Sequence, residues 1–128
     1  MVKLLFLLLG GAIGTVCRYG LITGIERSVV HSFPLGILSV NVLGSFLIGV
    51  LWSFAEAFHF PVNIRIFLFT GLLGGFTTFS SFALDTMVLM KAGEYKFAFL
   101  NMLANNLFGF TAVFLGFILA KNILTLMK

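Results

Sequence analysis

The chain is poor in charge and has almost no cysteine. Only 9% of its 128 residues are Asp, Glu, Lys or Arg, against 60% hydrophobic residues. A soluble domain of that composition would have almost no polar surface to turn to water. The single cysteine, Cys17, excludes an internal disulfide and a thiolate metal cluster within one chain, and reads as a small buried hydrophobe. The two histidines, His31 and His59, both fall near turns, which argues against a haem anchored between membrane helices. No set of nucleophile, base and oxyanion donors is present, and no phosphate-binding glycine loop, so the chain does not read as an enzyme. The net charge of +4 suits anionic headgroups at the ends of a membrane protein. No basic face exists to follow the phosphates of a nucleic acid.

What the chain does have is apolar length, with a mean hydropathy of +1.15. Four stretches, about 4–23, 35–55, 66–90 and 97–120, are each long enough for the roughly 20 helical residues that cross a bilayer. They use nearly the whole sequence, so residues 1–128 are expected to form one all-α transmembrane domain. Lys3 before Leu4 to Leu9 imitates a signal peptide, yet the segment stays apolar to Ile22, contains Arg18 and offers no small-x-small cleavage site, so it is read as retained. The basic residues divide evenly. With the termini and the second turn on one side, that side carries Lys3, Arg65, Lys121 and Lys128, and the other Arg27, Lys91, Lys96 and Arg18. A balanced chain lacks the Lys/Arg bias that selects one orientation, so insertion both ways and an antiparallel dimer stand beside the plainer reading that eight charges are too few to count.

The third stretch contains Gly71-Leu72-Leu73-Gly74-Gly75-Phe76-Thr77-Thr78-Phe79-Ser80-Ser81-Phe82. Glycines and hydroxyls in the middle of a membrane helix predict a break, and broken helices are tolerated in hydrocarbon only where they line a cavity or bind something. Small-residue seams predict close helix packing at Gly10 and Gly14, Ser45 and Gly49, Gly71 and Gly75, and Gly109, Ala112 and Gly116. Beside these seams, Asn41 and Ser45 share one face of the second helix, and Asn101, Asn105 and Gly109 one face of the fourth. Any single amide reads equally well as interhelical glue; together with the break they can line a narrow path. Asp85 is the sole intramembrane acid. It is expected at an aqueous vestibule, with Arg18 as its partner or as a vestibule residue in its own right.

Phe79 and Phe82 lie three apart, on one helical face, and alternate with hydroxyls. Most of the seventeen phenylalanines read as core or lipid-facing bulk. For this pair, ring edges turned into a pore would attract an anion without trapping it as a full charge does. A small anion is the cargo this pattern suits.

The chain resembles the Fluc/CrcB fluoride channels. The resemblance is carried by Gly10-Gly11-Ala12-Ile13-Gly14 with Arg18-Tyr19, by Pro34 to Phe46 around Asn41, and by Gly71 through Phe82 to Asp85. It implies a bacterial inner-membrane, multi-pass protein that forms an antiparallel, dual-topology homodimer with two fluoride pathways and exports fluoride passively. By position, Asn41 would be the pore amide, Phe79 and Phe82 the ring-edge pair, Ser80 and Ser81 the adjacent polar track, and Arg18 a vestibule arginine. The resemblance also implies a structural sodium ion at the dimer centre, held by backbone carbonyls that would fall at Gly74 and Thr77. The chain departs from the family at Ile37, where Thr is common; at Asn101, Asn105 and Gly109, where Tyr and Ser are common; and at Asp85, where Glu is common. Asn105 would then stand in for a lost hydroxyl donor. The alternative is a small dual-topology proton-coupled antiporter, which needs a titratable carboxylate in the membrane where helix 1 offers Arg18.

Overall fold

A computed structural model describes residues 1–28 and 33–127, so His31 and Lys128 lie outside the described residues. Four helical spans are long and apolar enough to cross a membrane: α1 (Val2–Ser28), α2 (Leu35–Ala57), α3 (Val62–Lys91) and α4 (Tyr95–Leu126). No strand occurs among the described residues. The helices overrun the apolar runs at several ends. A helix continues until something caps it, and at about 1.5 Å per residue a rod that crosses the headgroups as well as the hydrocarbon needs about 27–30 residues.

The caps are set by local chemistry. At the end of α2, Phe60 N–H bonds the Ala55 carbonyl at 3.1 Å and His59 N–H bonds the Glu56 carbonyl at 3.4 Å, with His59 at φ 50°. At the end of α3 the same pattern joins Glu94 to Leu89 and Gly93 to Met90, with Gly93 at φ 80°. Glycine holds this left-handed position without steric cost, whereas a residue with a Cβ is strained there by ~1 kcal/mol or more. His59→Gly is therefore expected to stabilise the protein by about 1 kcal/mol, read as a higher midpoint of thermal unfolding in detergent; an unchanged or lower midpoint would refute the strain.

The four spans associate as two close pairs. α1 lies along the first half of α3, and α2 along α4. The glycine seams explain the closeness. A Cβ on Gly10 would meet the Phe67 carbonyl oxygen, one on Gly14 the Leu72 carbonyl oxygen, and one on Gly75 would lie 2.7 Å from the Gly11 carbonyl oxygen. In the other pair, a Cβ on Gly49 would meet the Val113 carbonyl and one on Gly116 the Phe46 carbonyl. Backbone atoms on both sides leave no room for any larger residue. At the membrane boundary the Arg65 guanidinium sits 5.1 Å from the Trp52 ring, and Trp52 packs 5.4 Å from Phe69, tying the end of α2 to the start of α3.

α3 is not uniform. Val62–Arg65 is α-helical, Ile66–Leu73 is wound as a π-helix, Gly74–Phe76 is α-helical, Thr77 and Thr78 are extended, and Phe79–Lys91 is α-helical. Its first half packs on α1 and its second half on α4, so the interruption is where the chain passes from one close pair to the other. The outward faces are apolar: Leu4, Leu8, Val16, Phe110 and Phe114 are exposed, as suits contact with lipid tails. Cys17 belongs to that exposed face of α1, which corrects its reading as a buried residue. Its neighbours on the buried stripe, Gly10 and Gly14, take the seam, and Cys17 falls off that stripe.

Candidate functional site: a cavity at the interrupted helix

Thr77 N–H makes the last bond of the preceding helix, to the Leu73 carbonyl at 3.0 Å, but with Thr77 at φ −84°, ψ 157° and Thr78 at φ −151°, ψ 116° the helix cannot continue. In hydrocarbon each stranded peptide group costs several kcal/mol unless a partner is supplied, and α2 supplies one. Thr78 N–H donates to Asn41 Oδ1 at 2.9 Å, and Asn41 Nδ2 donates back to the Thr78 carbonyl at 3.1 Å. The carboxamide thus pairs with Thr78 as a neighbouring strand would. Thr78 also caps the helix that follows: its Oγ1 accepts from Ser81 N–H at 3.2 Å, and its hydroxyl donates to Ser81 Oγ at 3.0 Å. Ser80 Oγ lies 3.3 Å from the same hydroxyl. The carbonyls from Gly74 to Thr77 lose their helical donors as a result, those of Gly74 and Thr77 among them. Thr78 N–H has left Gly74, and Ser81 N–H has left Thr77. The Thr77 carbonyl instead accepts from Arg18 Nη1 at 3.4 Å.

From Asn41 the hydrogen bonds continue into α4. Asn41 Nδ2 donates to Asn105 Oδ1 at 2.9 Å; Asn105 Nδ2 donates to Asn101 Oδ1 at 2.9 Å and to the Asn101 carbonyl at 3.1 Å. Asn101 Nδ2 donates to Thr86 Oγ1 at 3.0 Å and to the Phe82 carbonyl at 3.5 Å, and Thr86 Oγ1 donates to that same carbonyl at 2.9 Å. Thr86, Asn101 and Asn105 are buried, and among the described residues no buried side-chain polar atom lacks a partner. An amide network in hydrocarbon has to be complete in this way, because a half-satisfied one is worse than an apolar core.

Beside this network lies a cavity of about 330 Å³, whose walls include Asn41, Ser45, Phe79, Phe82 and Asn105 together with Gly74 and Thr77 at the interruption. These seven residues, all marked in the sequence, therefore come together from α2, both halves of α3, and α4. The Phe79 and Phe82 rings meet edge to face, 5.4 Å apart at 63°. Their environments differ sharply: Phe82 is 7% exposed and Phe79 78% exposed. Ser80, Ser81, Arg18 and Asp85 are not part of the wall. Asp85 is half-buried on the second half of α3, and Arg18 reaches Thr77 instead of Asp85.

Sequence reasoning passed over two contributors, Thr78 and Thr86, and put Asn101 and Ser45 to a different use. Thr78 is the residue on which the interruption turns, and its signal was its place as a hydroxyl directly before a helical run, with Ser81 three residues on. Asn101, expected in the path, is not in the wall of this cavity, nor is Thr86; both act through the residues they hold. Ser45 was placed on the right face but not in the path; its hydroxyl lines the cavity beside Gly109 and bonds no other described residue.

The cavity is lined by neutral amides and hydroxyls, by apolar side chains and by the Phe79 and Phe82 rings, and among the described residues by no carboxylate. Such a wall can replace the hydration of a small anion piece by piece. No group of three or more His, Cys, Asp or Glu side chains is gathered for a metal among the described residues.

The sequence matches the family described as CrcB-like protein, Camphor Resistance (CrcB), over residues 5–117. It is 65% identical over 128 residues to a protein of Parabacteroides distasonis named fluoride-specific ion channel FluC, covering 100% of both chains. A protein of the same name from Pyrococcus abyssi is 48% identical over 120 residues, covering 92% of this chain and 95% of its own. One from Salinibacter ruber is 39% identical over 116 residues, covering 91% and 87%.

Proposed function

The chain belongs to the CrcB-like family, and from that premise we infer that it is a fluoride channel, a multi-pass membrane protein that conducts fluoride passively out of the cytoplasm. The observation that carries this reading is full-length identity of 65% to a protein named as a fluoride-specific channel. The chemistry of the cavity agrees with it. Fluoride is small, hard and strongly hydrated, so it needs close donors in place of water, and neutral amides, hydroxyls and phenyl edges provide these without a trapping charge. In an acidic medium fluoride enters a cell as neutral HF, ionises at the higher internal pH and leaves through such a path down its gradient. The protein is not an enzyme. The antiporter alternative is disfavoured because the similar proteins are named as fluoride-specific channels.

The pathway is assigned to Asn41, Phe79, Phe82, Ser80, Ser81 and Asn105, with Arg18 and Asp85 at vestibules. In the state described, both N–H groups of Asn41 are already bonded, so fluoride would take one of them in exchange for Asn105 or Thr78. The largely exposed Phe79 ring leaves the path open along the outside of a single chain. A second, antiparallel copy would close it and give two equivalent paths per dimer, as the balanced basic residues allow. The freed carbonyls of Gly74 and Thr77 fit a sodium ion, since hard oxygen ligands of this kind hold Na⁺ at unwound helices. Bound there, sodium would tie the two interruptions together. The Arg18 guanidinium, now 3.4 Å from the Thr77 carbonyl, would have to share that oxygen or withdraw.

The test is efflux from liposomes that contain only the purified chain. Fluoride is expected to leave without a proton gradient while chloride is retained, and a requirement for a proton gradient would overturn the channel in favour of the antiporter. Orientation is tested by adding several lysines to one terminus. Forced into one orientation, the chain should lose activity and regain it when an oppositely biased copy is coexpressed; unimpaired efflux from the biased chain alone would exclude the antiparallel arrangement.

A further inference from the structure

The buried Asn101 and Asn105 and the half-buried Asn41 form a chain with a direction, and that direction is fixed at both ends by groups that cannot reverse. At one end stands the peptide backbone of Thr78, whose N–H can only donate to Asn41 Oδ1 and whose carbonyl can only accept from Asn41 Nδ2. At the other stands the Thr86 hydroxyl. Its hydrogen is committed to the Phe82 carbonyl, which leaves Oγ1 able only to accept from Asn101 Nδ2. Between these ends every carboxamide N–H is used, two each on Asn41, Asn105 and Asn101. Turning over any one amide would set two N–H groups, or two carbonyl oxygens, face to face. Asn105 is the member that both lines the cavity and has no backbone pair of its own to orient it across helices.

We propose that Thr86 and Asn101 are positioning residues of the anion path: without touching the cavity, they orient the Asn105 carboxamide and, through it, keep the Asn41 N–H groups on the side where an anion passes. This rests on the fluoride-channel reading. If Thr86 could no longer accept, Asn101 Nδ2 would keep only its 3.5 Å bond to the Phe82 carbonyl and could turn over; Asn105, giving up its bond to the Asn101 carbonyl to follow, would set its N–H against that of Asn41. Asn41 would relieve that clash by turning its own Oδ1 toward Asn105, so the cavity would present a carbonyl oxygen in place of an N–H to an anion for part of the time, although its shape and its phenyl rings would be unchanged.

The experiment compares fluoride efflux from liposomes for the wild-type chain, Thr86→Val and Thr86→Ser, with the thermal unfolding midpoint of each. Valine keeps the shape and removes the acceptor; serine keeps the acceptor. Loss of a group that orients a metal ligand typically costs 10- to 100-fold; taking the lower end for an orienting group here, Thr86→Val is expected to conduct about tenfold more slowly, while Thr86→Ser conducts as the wild type does. The side-chain amide resonances of Asn41 and Asn105, read in protein made with isotope-labelled asparagine, are expected to move in the valine variant and to stay in place in the serine variant. Should the valine variant not be recovered folded, Thr86→Ala, which cannot overfill the site, takes its place. Wild-type rates in the variant that lacks the acceptor would overturn the proposal. Equal losses in the valine and serine variants would overturn it too, since they would mark a packing role alone. Absence of efflux from the wild type would instead overturn the channel reading on which the proposal stands.

Discussion

Asn41→Asp is expected to abolish most fluoride efflux, lowering it by about two orders of magnitude. Aspartate still accepts from Thr78 N–H, so one of the three hydrogen bonds that Asn41 makes across helices survives. The other two become acceptor against acceptor, with the carboxyl facing the Thr78 carbonyl and Asn105 Oδ1. Each unsatisfied buried acceptor costs ~1–3 kcal/mol, and a loss of about 3 kcal/mol corresponds to a factor of roughly a hundred. An ionised aspartate would also repel the anion. The midpoint of thermal unfolding should fall with the flux, since the same two bonds hold the interruption against α2 and α4. A variant that keeps its stability and conducts fluoride as the wild type does would show that the Asn41 N–H groups serve neither purpose.

Phe79→Ile is expected to separate the path from the fold. The Phe79 ring is 78% exposed and contributes little to the packing of a single chain, whereas Phe82 is 7% exposed and sits in the core. Both rings line the cavity and meet edge to face. Isoleucine keeps apolar bulk and deletes the electropositive ring edge. At Phe79 the substitution should suppress fluoride efflux at least tenfold with the unfolding midpoint unchanged, an edge contact of about 1.4 kcal/mol being worth that factor. At Phe82 the same suppression should come with a loss of stability of about 1–3 kcal/mol from the reshaped core. Phe6→Ile is the control. That ring packs against Phe67 at 6.5 Å, away from the cavity, and its replacement should leave efflux intact. If both Phe79→Ile and Phe82→Ile conduct normally, the rings are bulk and the ring-edge mechanism is wrong.

Four helical spans and the apolar character of the whole chain were readable directly, because a bilayer imposes a length and a composition that no local detail overrides. The glycine seams were equally plain. A residue without a side chain, repeated at four-residue spacing in hydrocarbon, has few uses other than close approach, and Gly10, Gly14, Gly49 and Gly116 all meet a neighbouring backbone. Cys17 was misread because burial in a membrane helix depends on which stripe faces a neighbour, and hydropathy is the same on both sides. Thr86 was not singled out at all. Its role consists of one accepted hydrogen bond from a residue 15 positions away, and no spacing rule reaches that far.

The sequence by itself thus determined the solvent, the number of spans, the seams, and the residue types that could face an anion. Only the tertiary structure decided what those residues do with their hydrogen bonds. Asn41, Asn101 and Asn105 read as three donors for a path. Folded, they first satisfy Thr78, one another and the Phe82 carbonyl, because a backbone interrupted in hydrocarbon must be completed before anything else can bind beside it. Such pairing is non-local: it depends on α2, α3 and α4 arriving together, and a one-dimensional pattern carries no term for that.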